Sequence, residues 1–168
     1  MTRFRLSVFV LAVVVVAGFC LAQGQTRRIP PQNPQKSAHV MISPDQVKWG
    51  PGPPSLPPGA ELAVLSGDPS KAGSFTMRLK FPAGYKVPPH WHPTDENVVV
   101  ISGTMLLGQG DKFDEAAAHE LPAGSFMVMP KEMRHFAMAK EESVVQIYGT
   151  GPFAITYVNA ADDPRKAK

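Results

Sequence analysis

The sequence has little of several features that define other classes of protein. It contains one cysteine, Cys20, so no disulfide can form within the chain. Charged residues make up 18% of it, the formal net charge is +3, and the lysines and arginines are scattered singly or in pairs. Nucleic-acid binding requires a concentrated basic surface, so we expect no nucleic-acid partner. Helical periodicity is also scarce after residue 60, which argues against alternating strands and helices around a parallel sheet.

The length and the apolar content favour one folded domain. The chain has 168 residues, and 43% of them are hydrophobic. This is enough to bury a single core, and it leaves little room for a second one.

The N-terminal segment has the pattern of a signal peptide. Arg3 and Arg5 form a positively charged start, and the stretch 6–21 is nearly unbroken apolar sequence that ends in small residues around Ala22. We therefore expect residues 1–22 to be removed and the protein to be periplasmic or secreted. Two alternatives stay open, an uncleaved anchor and lipid attachment at Cys20, and either of them would place the protein at a membrane.

A proline-rich segment, residues 23–60, follows. Its most extreme part, residues 51–59, cannot form a helix or a central strand because proline lacks the backbone donor that both require. We predict an arm or linker that lies extended over a surface. If its apolar residues, such as Met41 and Trp49, pack on a neighbouring subunit, the protein is a homodimer.

From residue 61 onward the sequence reads as short strands separated by glycine and proline. We predict strands at 62–65, 75–81, 97–101, 104–107, 126–129, 136–139, 144–148 and 153–158, with one helical turn at 114–118. This spacing is typical of a β-sandwich or β-barrel. Five methionines lie in these strands, where they are expected to fill the core. Gln146 and Tyr148 share one face of a late strand, which faces either the barrel interior or solvent.

Histidines and a carboxylate are grouped in the segment 90–96. Side chains alternate along a strand, so His90 and His92 point the same way. The stretch 93–95 has the composition of a tight turn, after which Glu96 opens the apolar run 98–101. The carboxylate therefore returns on a neighbouring strand beside the two imidazoles. His39 and His119 have no partner at such a spacing, and we expect structural roles for them.

These residues resemble the two motifs of the cupin superfamily. The first motif is matched at every defined position, by Gly84-x5-His90-x-His92-x3-Glu96-x6-Gly103, and most of the second is matched by Gly124-x5-Pro130-x4-His135. The chain departs from the second motif in two places. Glu132 stands where the family usually has glycine, and Ala139 stands where it usually has asparagine. Both are turn or supporting positions rather than ligands.

The resemblance implies a fold and a metal site. The fold is all-β, a double-stranded β-helix of the cupin or jelly-roll type over residues 61–160, with a flexible tail at 161–168. His90, His92, Glu96 and His135 would bind one divalent transition metal ion per chain, of iron, manganese, nickel or zinc.

The resemblance also implies two classes of function. The first is a metal-dependent oxidoreductase, similar to cupin dioxygenases, or an isomerase, that acts on a small, chelating, oxygen-rich molecule. Glu96 would then be the catalytic base if it leaves the metal. The alternative is a non-catalytic cupin that binds a metal or a small ligand for sensing or scavenging.

Overall fold

The computed structural model describes residues 39–166. The predicted signal peptide, Cys20 and the predicted arm up to residue 38 lie outside the described residues. Within residues 39–166, no helix is both long and apolar enough to span a membrane. Eleven strands and three short 3-10 helices make up the regular structure of this part.

The strands follow one another closely along the chain. They are β1 (Gly50–Pro51), β2 (Glu61–Ser66), β3 (Gly73–Phe81), β4 (Lys86–Trp91), β5 (Glu96–Ser102), β6 (Thr104–Gln109), β7 (His119–Pro122), β8 (Phe126–Met129), β9 (His135–Ala139), β10 (Ser143–Gly151) and β11 (Thr156–Tyr157). The 3-10 helices are Pro44–Gln46, Glu115–Ala117 and Ala160–Asp162.

The strands form two sheets in which every pairing is antiparallel. One sheet has the order β1-β2-β3-β10-β5-β8, and the other has the order β11-β4-β9-β6-β7. Consecutive strands such as β4 and β5 lie in different sheets, so the chain crosses repeatedly from one to the other. This confirms the predicted all-β double-stranded β-helix.

The core lies between the two sheets. Alternate residues of β3 show the pattern clearly, because Phe75, Met77, Leu79 and Phe81 are buried while the residues between them are partly exposed. Residues of other strands complete the same cluster, among them Val87, Val98, Val100, Met105, Met129, Val145 and Ile147. Three of the strand methionines are therefore buried in the core, as expected from their positions.

A β-bulge in β4 sets the direction of the first motif histidine. Val87 pairs with Ala137 and His90 pairs with His135, so β4 has one residue more than β9 between these pairs. Val87 and His90 are three residues apart, and strict alternation would place them on opposite faces. The extra residue lies at Pro88–Pro89, which have no backbone N–H to donate to a ladder. The bulge thus lets both Val87 and His90 face the interior.

The predicted strand positions agree with the structure except where the local pattern was weak. β4 was not among the predicted strands, because its two consecutive prolines read as a break. β7 was also missed. It is a largely exposed edge strand of sequence His-Glu-Leu-Pro, with no alternation of apolar and polar residues. Residues 153–155, predicted to be strand, are irregular, and β11 contains two residues.

Residues 51–59, called the strap below, lie against the barrel. Two tyrosine hydroxyls hold the strap by donating to its backbone carbonyls. Tyr157 donates to Ser55 at 2.8 Å, and Tyr85 donates to Pro57. Burial raises the pKa of Tyr157 to about 12, so this hydroxyl keeps its proton at neutral pH. β1 begins the strap by pairing with β2.

The described part of the predicted tail, residues 161–166, contacts the barrel. Asp163 is 7% exposed and accepts a hydrogen bond from Arg165 Nε at 2.7 Å. Arg165 also donates to the carbonyl of Ile155 at 3.1 Å. These bonds connect the residues after β11 to the irregular segment before it.

Candidate metal centre

Four side chains from three strands meet inside the barrel. His90 lies in β4 and His92 directly follows that strand, while Glu96 begins β5 and His135 begins β9. Their exposed fractions are between 2% and 6%, so none of them has appreciable contact with bulk water. The structure thus brings together all four residues that the sequence motifs indicated.

The functional atoms of this cluster are close to one another. One ring nitrogen from each of His90, His92 and His135 lies within 4.8 Å of the corresponding atoms of the other two. Glu96 Oε2 lies 3.4 Å from His92 Nε2 and 3.3 Å from His135 Nε2. Within residues 39–166, these three histidines form a group that could hold a metal ion.

Backbone carbonyls fix the tautomer of each histidine. Every Nδ1 atom faces a carbonyl oxygen: Pro88 for His90 at 2.7 Å, Ala154 for His92 at 2.8 Å and Met133 for His135 at 2.9 Å. A carbonyl oxygen only accepts, so each Nδ1 must carry the proton and donate it. In a neutral imidazole the other nitrogen, Nε2, then has a free lone pair. The Nε2 atom of His92 has no hydrogen-bond partner at all.

The cluster therefore consists of groups that accept and cannot donate. In their neutral forms the three imidazoles present Nε2 lone pairs to one another and to the oxygen of Glu96. Buried lone pairs without a donor are unfavourable, and a cation among them would satisfy all of them together. Nitrogen and oxygen donors of this kind suit divalent transition metals. The donor set fits the expected metal ion.

Burial and mutual contact favour the protonation states that metal binding needs. Burial lowers the pKa of His90 to about 3, and the neighbouring His135 and His92 lower it further in the same direction. At neutral pH His90 is therefore uncharged, and its Nε2 lone pair is available to a cation.

One residue of the centre was not found by reasoning from the sequence. The ring of Phe153 stacks on His92, with centroids 4.3 Å apart and an interplanar angle of 15°. Phe153 precedes Ala154, whose carbonyl holds His92 from a position 62 residues further along the chain. No spacing rule connects residues so distant, and the irregular segment 153–155 carries no motif of its own.

A cavity of about 190 Å³ adjoins the cluster. It is lined by the four cluster residues and by apolar side chains from both sheets, including Met77, Leu79, Val87, Leu107, Met127, Ala137 and Ile147. The strap contributes Pro53, Ser55 and Leu56 to the same lining. The cavity gives a small molecule room beside the four side chains.

The other candidate residues lie away from this site. His39 and His119 are exposed and outside the cluster. Gln146 accepts a hydrogen bond from Arg78 Nε at 3.1 Å, and Tyr148 is 36% exposed. Of the two directions considered for Gln146 and Tyr148, the structure therefore shows the outer one.

The turn before His135 contains the first departure from the family motif. Glu132 has a φ of 63° and is the one non-glycine residue of the described chain with a positive φ. It occupies the third position of a β-turn closed by Met133 N donating to the Pro130 carbonyl at 3.0 Å, and that position favours glycine. The Glu132 N–H donates to the carbonyl of His92 at 2.8 Å, so the turn is tied to the cluster.

The second departure is explained by packing. Ala139 has no exposed area, and its backbone exchanges hydrogen bonds with Gly84 at 2.8 Å and Tyr85 at 2.9 Å. Its small side chain joins the apolar core cluster.

A comparison with protein families agrees with this geometry. The model of the ChrR cupin-like domain matches residues 37–154, which include both histidine motifs and all but the last of the strands. The chain belongs to the ChrR cupin-like family. It is therefore a cupin, and the predicted membership of the superfamily is confirmed.

Among curated proteins, this cupin is similar to germin-like protein 2-4 of rice, Oryza sativa subsp. japonica. The two are 34% identical over 68 residues, which are 40% of this chain and 30% of the rice protein. The matched segment thus spans less than a third of that relative's length.

Solved structures show the same fold at low sequence identity. The polyketide cyclase RemF from Streptomyces resistomycificus is 15% identical, with a TM-score of 0.59 over 76% of this chain and 90% of that one. A putative acetylacetone dioxygenase from Methylibium petroleiphilum PM1 is 22% identical, with a TM-score of 0.58 over 76% and 85%. KdgF from Halomonas sp. is 20% identical, with a TM-score of 0.52 over 67% and 94%. At these identities the likeness concerns the fold alone.

We predict that Glu132→Gly stabilises this cupin by about 0.5–1 kcal/mol. A left-handed backbone costs a non-glycine residue about 1–2 kcal/mol, which exceeds the roughly 0.5–1 kcal/mol that glycine loses through greater freedom of the unfolded chain. Chemical denaturation of both proteins measures the difference. Glu142→Gly is the control, since Glu142 is exposed and lacks a positive φ. It should be neutral or destabilising. Equal effects at both positions would contradict the turn assignment.

We also predict that the metal-free protein loses stability as the pH falls from 6.5 to 4.5. The unfolded chain protonates His90 in this window, but the folded chain does not until the pH approaches 3. The unfolded state then binds more protons, and the loss through His90 amounts to about 2 kcal/mol. Denaturation of chelator-treated protein at several pH values measures it. Over the same pH range, the free energy of unfolding of His90→Ala should fall less than that of the wild type, by about that amount. Parallel curves of this free energy against pH for the two proteins would refute the lowered pKa of His90.

Proposed function

We propose that this cupin binds one divalent transition metal ion through His90, His92, Glu96 and His135. The observation that carries the proposal is that three Nε2 lone pairs and a carboxylate oxygen meet in a buried place with no donor between them. The carbonyls of Pro88, Ala154 and Met133 would hold the imidazoles in the binding tautomer, as partners of metal-bound histidines commonly do.

We further propose that the site acts as an oxidoreductase of the dioxygenase type on a small chelating molecule. A bound metal ion would supply Lewis acidity and, with a redox-active metal, electron transfer. The protein's own contribution is to exclude water, to orient the molecule in the apolar cavity and, if Glu96 leaves the metal, to accept a proton at its carboxylate. Two proteins of similar fold, a putative acetylacetone dioxygenase and a polyketide cyclase, support this proposal.

A non-catalytic binding protein is the second candidate. One observation favours it: among the residues that line the cavity, Glu96 and the three histidines are the titratable side chains. If all four stay on the metal, no separate acid or base is left for proton transfer. Turnover by the metal-loaded protein, measured as O2 uptake with chelating substrates, separates the two candidates.

We predict that His90→Ala and His135→Ala each reduce the metal content from about one ion per chain to near zero. Both should also lose the rise in melting temperature that metal gives the wild type, because an ion that binds the native state alone stabilises it by about 2.7 kcal/mol at a hundred times its dissociation constant. Elemental analysis and thermal unfolding give the two readouts. His39→Ala and His119→Ala, at exposed positions, should match the wild type. Unchanged metal content in the double variant His90→Ala, His135→Ala would refute the site.

We propose that the protein is exported. The support is the charged start, the apolar stretch and the small residues up to Ala22. N-terminal sequencing of the protein from its host should find a chain that begins near Gln23. An intact Met1 on cytoplasmic protein would contradict export.

We propose a homodimer because the described surface keeps apolar side chains in water. Met41 is 78% exposed in the arm, and Phe126 is 56% exposed on the edge strand β8. Beside Phe126 on the same sheet lie Val128 and Ile101, exposed by 45% and 40%. Such surfaces and unpaired strand edges are commonly covered by a second copy.

We predict that light scattering on the wild type gives twice the chain mass. Met41→Ser or Phe126→Ser should weaken the association, and whichever variant does so identifies the surface involved. Lys112→Ser, at an exposed charged position, is the control. A wild type that is monomeric at micromolar concentration would contradict the dimer.

A further inference from the structure

The lining of the cavity is almost entirely apolar beyond the four cluster residues. Of its other side chains, Ser55 in the strap is the one that carries a polar group, and all the rest are aliphatic, proline, methionine or phenylalanine. The cavity thus has a polar end, where the histidines lie, and an apolar remainder.

Polar side chains close to the barrel are turned away from the cavity or already bonded. Gln146 and Arg78 bond to each other on the other face of their sheet, where strand alternation places them opposite Val145 and Met77. The hydroxyls of Tyr85 and Tyr157 donate to carbonyls of the strap. None of these groups is free to bind a second charged or strongly polar part of a ligand.

The charges at the polar end set the charge of the ligand. Three neutral imidazoles, one carboxylate and a divalent cation together carry a net charge of +1. A ligand with one negative charge on its chelating atoms would neutralise this net charge. A second negative charge would lie against apolar side chains with no cation to pair it, and burial of an unpaired charge is strongly unfavourable.

The volume of the cavity limits the size of the ligand. An engineered apolar cavity of about 150 Å³ binds benzene. The cavity of about 190 Å³ beside the cluster is therefore suited to a ligand somewhat larger than one benzene ring.

From these observations we infer that the ligand is a small monoanionic chelator with a hydrocarbon body. Its chelating head would carry two oxygens, on neighbouring atoms, that share one negative charge. The rest of the ligand would be an alkyl or aryl group. This inference rests on the proposed metal site and narrows the expected oxygen-rich molecule, because sugars, phosphorylated compounds and polycarboxylates would leave polar groups unpaired in the cavity.

The test compares two probes with the same chelating head and the same number of non-hydrogen atoms. These are 4-methylpentanohydroxamic acid, which ends in an isopropyl group, and succinic monohydroxamic acid, which ends in a carboxylate. Calorimetric titration of the zinc-loaded protein gives both affinities, and elemental analysis afterwards confirms that zinc stays bound. We expect the isopropyl probe to bind about a hundredfold more tightly, and neither probe to bind the metal-free protein.

The outcomes separate this inference from the proposed function. If the carboxylate probe binds equally well or better, the inference is wrong and the metal site stands. If neither probe binds the zinc-loaded protein, the open chelating site of the proposed function fails, and the inference fails with it. Binding of the isopropyl probe to metal-free protein with equal affinity would show that chelation plays no part.

A variant tests whether the hydrocarbon body lies in the cavity. Ala137 lines it from β9, so Ala137→Leu adds volume inside while all four cluster residues are retained. We expect the variant to bind 4-methylpentanohydroxamic acid about tenfold more weakly while its affinity for acetohydroxamic acid, which has a methyl body, and its zinc content stay unchanged. If the variant and the wild type bind 4-methylpentanohydroxamic acid with equal affinity, the hydrocarbon body of this probe does not lie in the cavity, and the inference is overturned.

Discussion

The site depends on three hydrogen bonds from histidine Nδ1 atoms to backbone carbonyls. Because a carbonyl can only accept, these bonds leave every Nε2 as a lone pair that faces the other two and the Glu96 carboxylate. A cation placed among such buried acceptors would satisfy all of them together. The backbone therefore determines the chemistry of the site before any ligand arrives.

The irregular parts of the barrel supply these carbonyls. Pro88 lies in the bulge of β4, Met133 ends the turn that contains Glu132, and Ala154 belongs to the segment between β10 and β11. A regular strand directs its carbonyls to neighbouring strands, so it cannot also offer them to side chains in the interior. These departures from regular structure therefore belong to the candidate metal site, because they orient its three histidines.

Much of the fold and all four cluster residues could be predicted from the sequence, because both follow local rules. Alternation places His90 and His92 together, a short turn returns Glu96 beside them, and glycine and proline separate the strands. The bulge in β4 could not be predicted in the same way, since two prolines look like a break rather than a strand. The contacts of Phe153 and Ala154 with His92 could not be predicted either, because they depend on how the two sheets pack together. The apolar lining follows from the same tertiary packing, which decides the face that each strand turns inward.

The central claim is that His90, His92, Glu96 and His135 share one metal ion. X-ray absorption spectroscopy of the protein loaded with one equivalent of zinc tests it most directly, because zinc–ligand distances and imidazole scattering report the donors themselves. The account predicts three imidazole nitrogens and one carboxylate oxygen at about 2.0–2.2 Å. It also predicts loss of one imidazole in His135→Ala. A spectrum with fewer than three imidazoles, or one unchanged in that variant, would contradict the account.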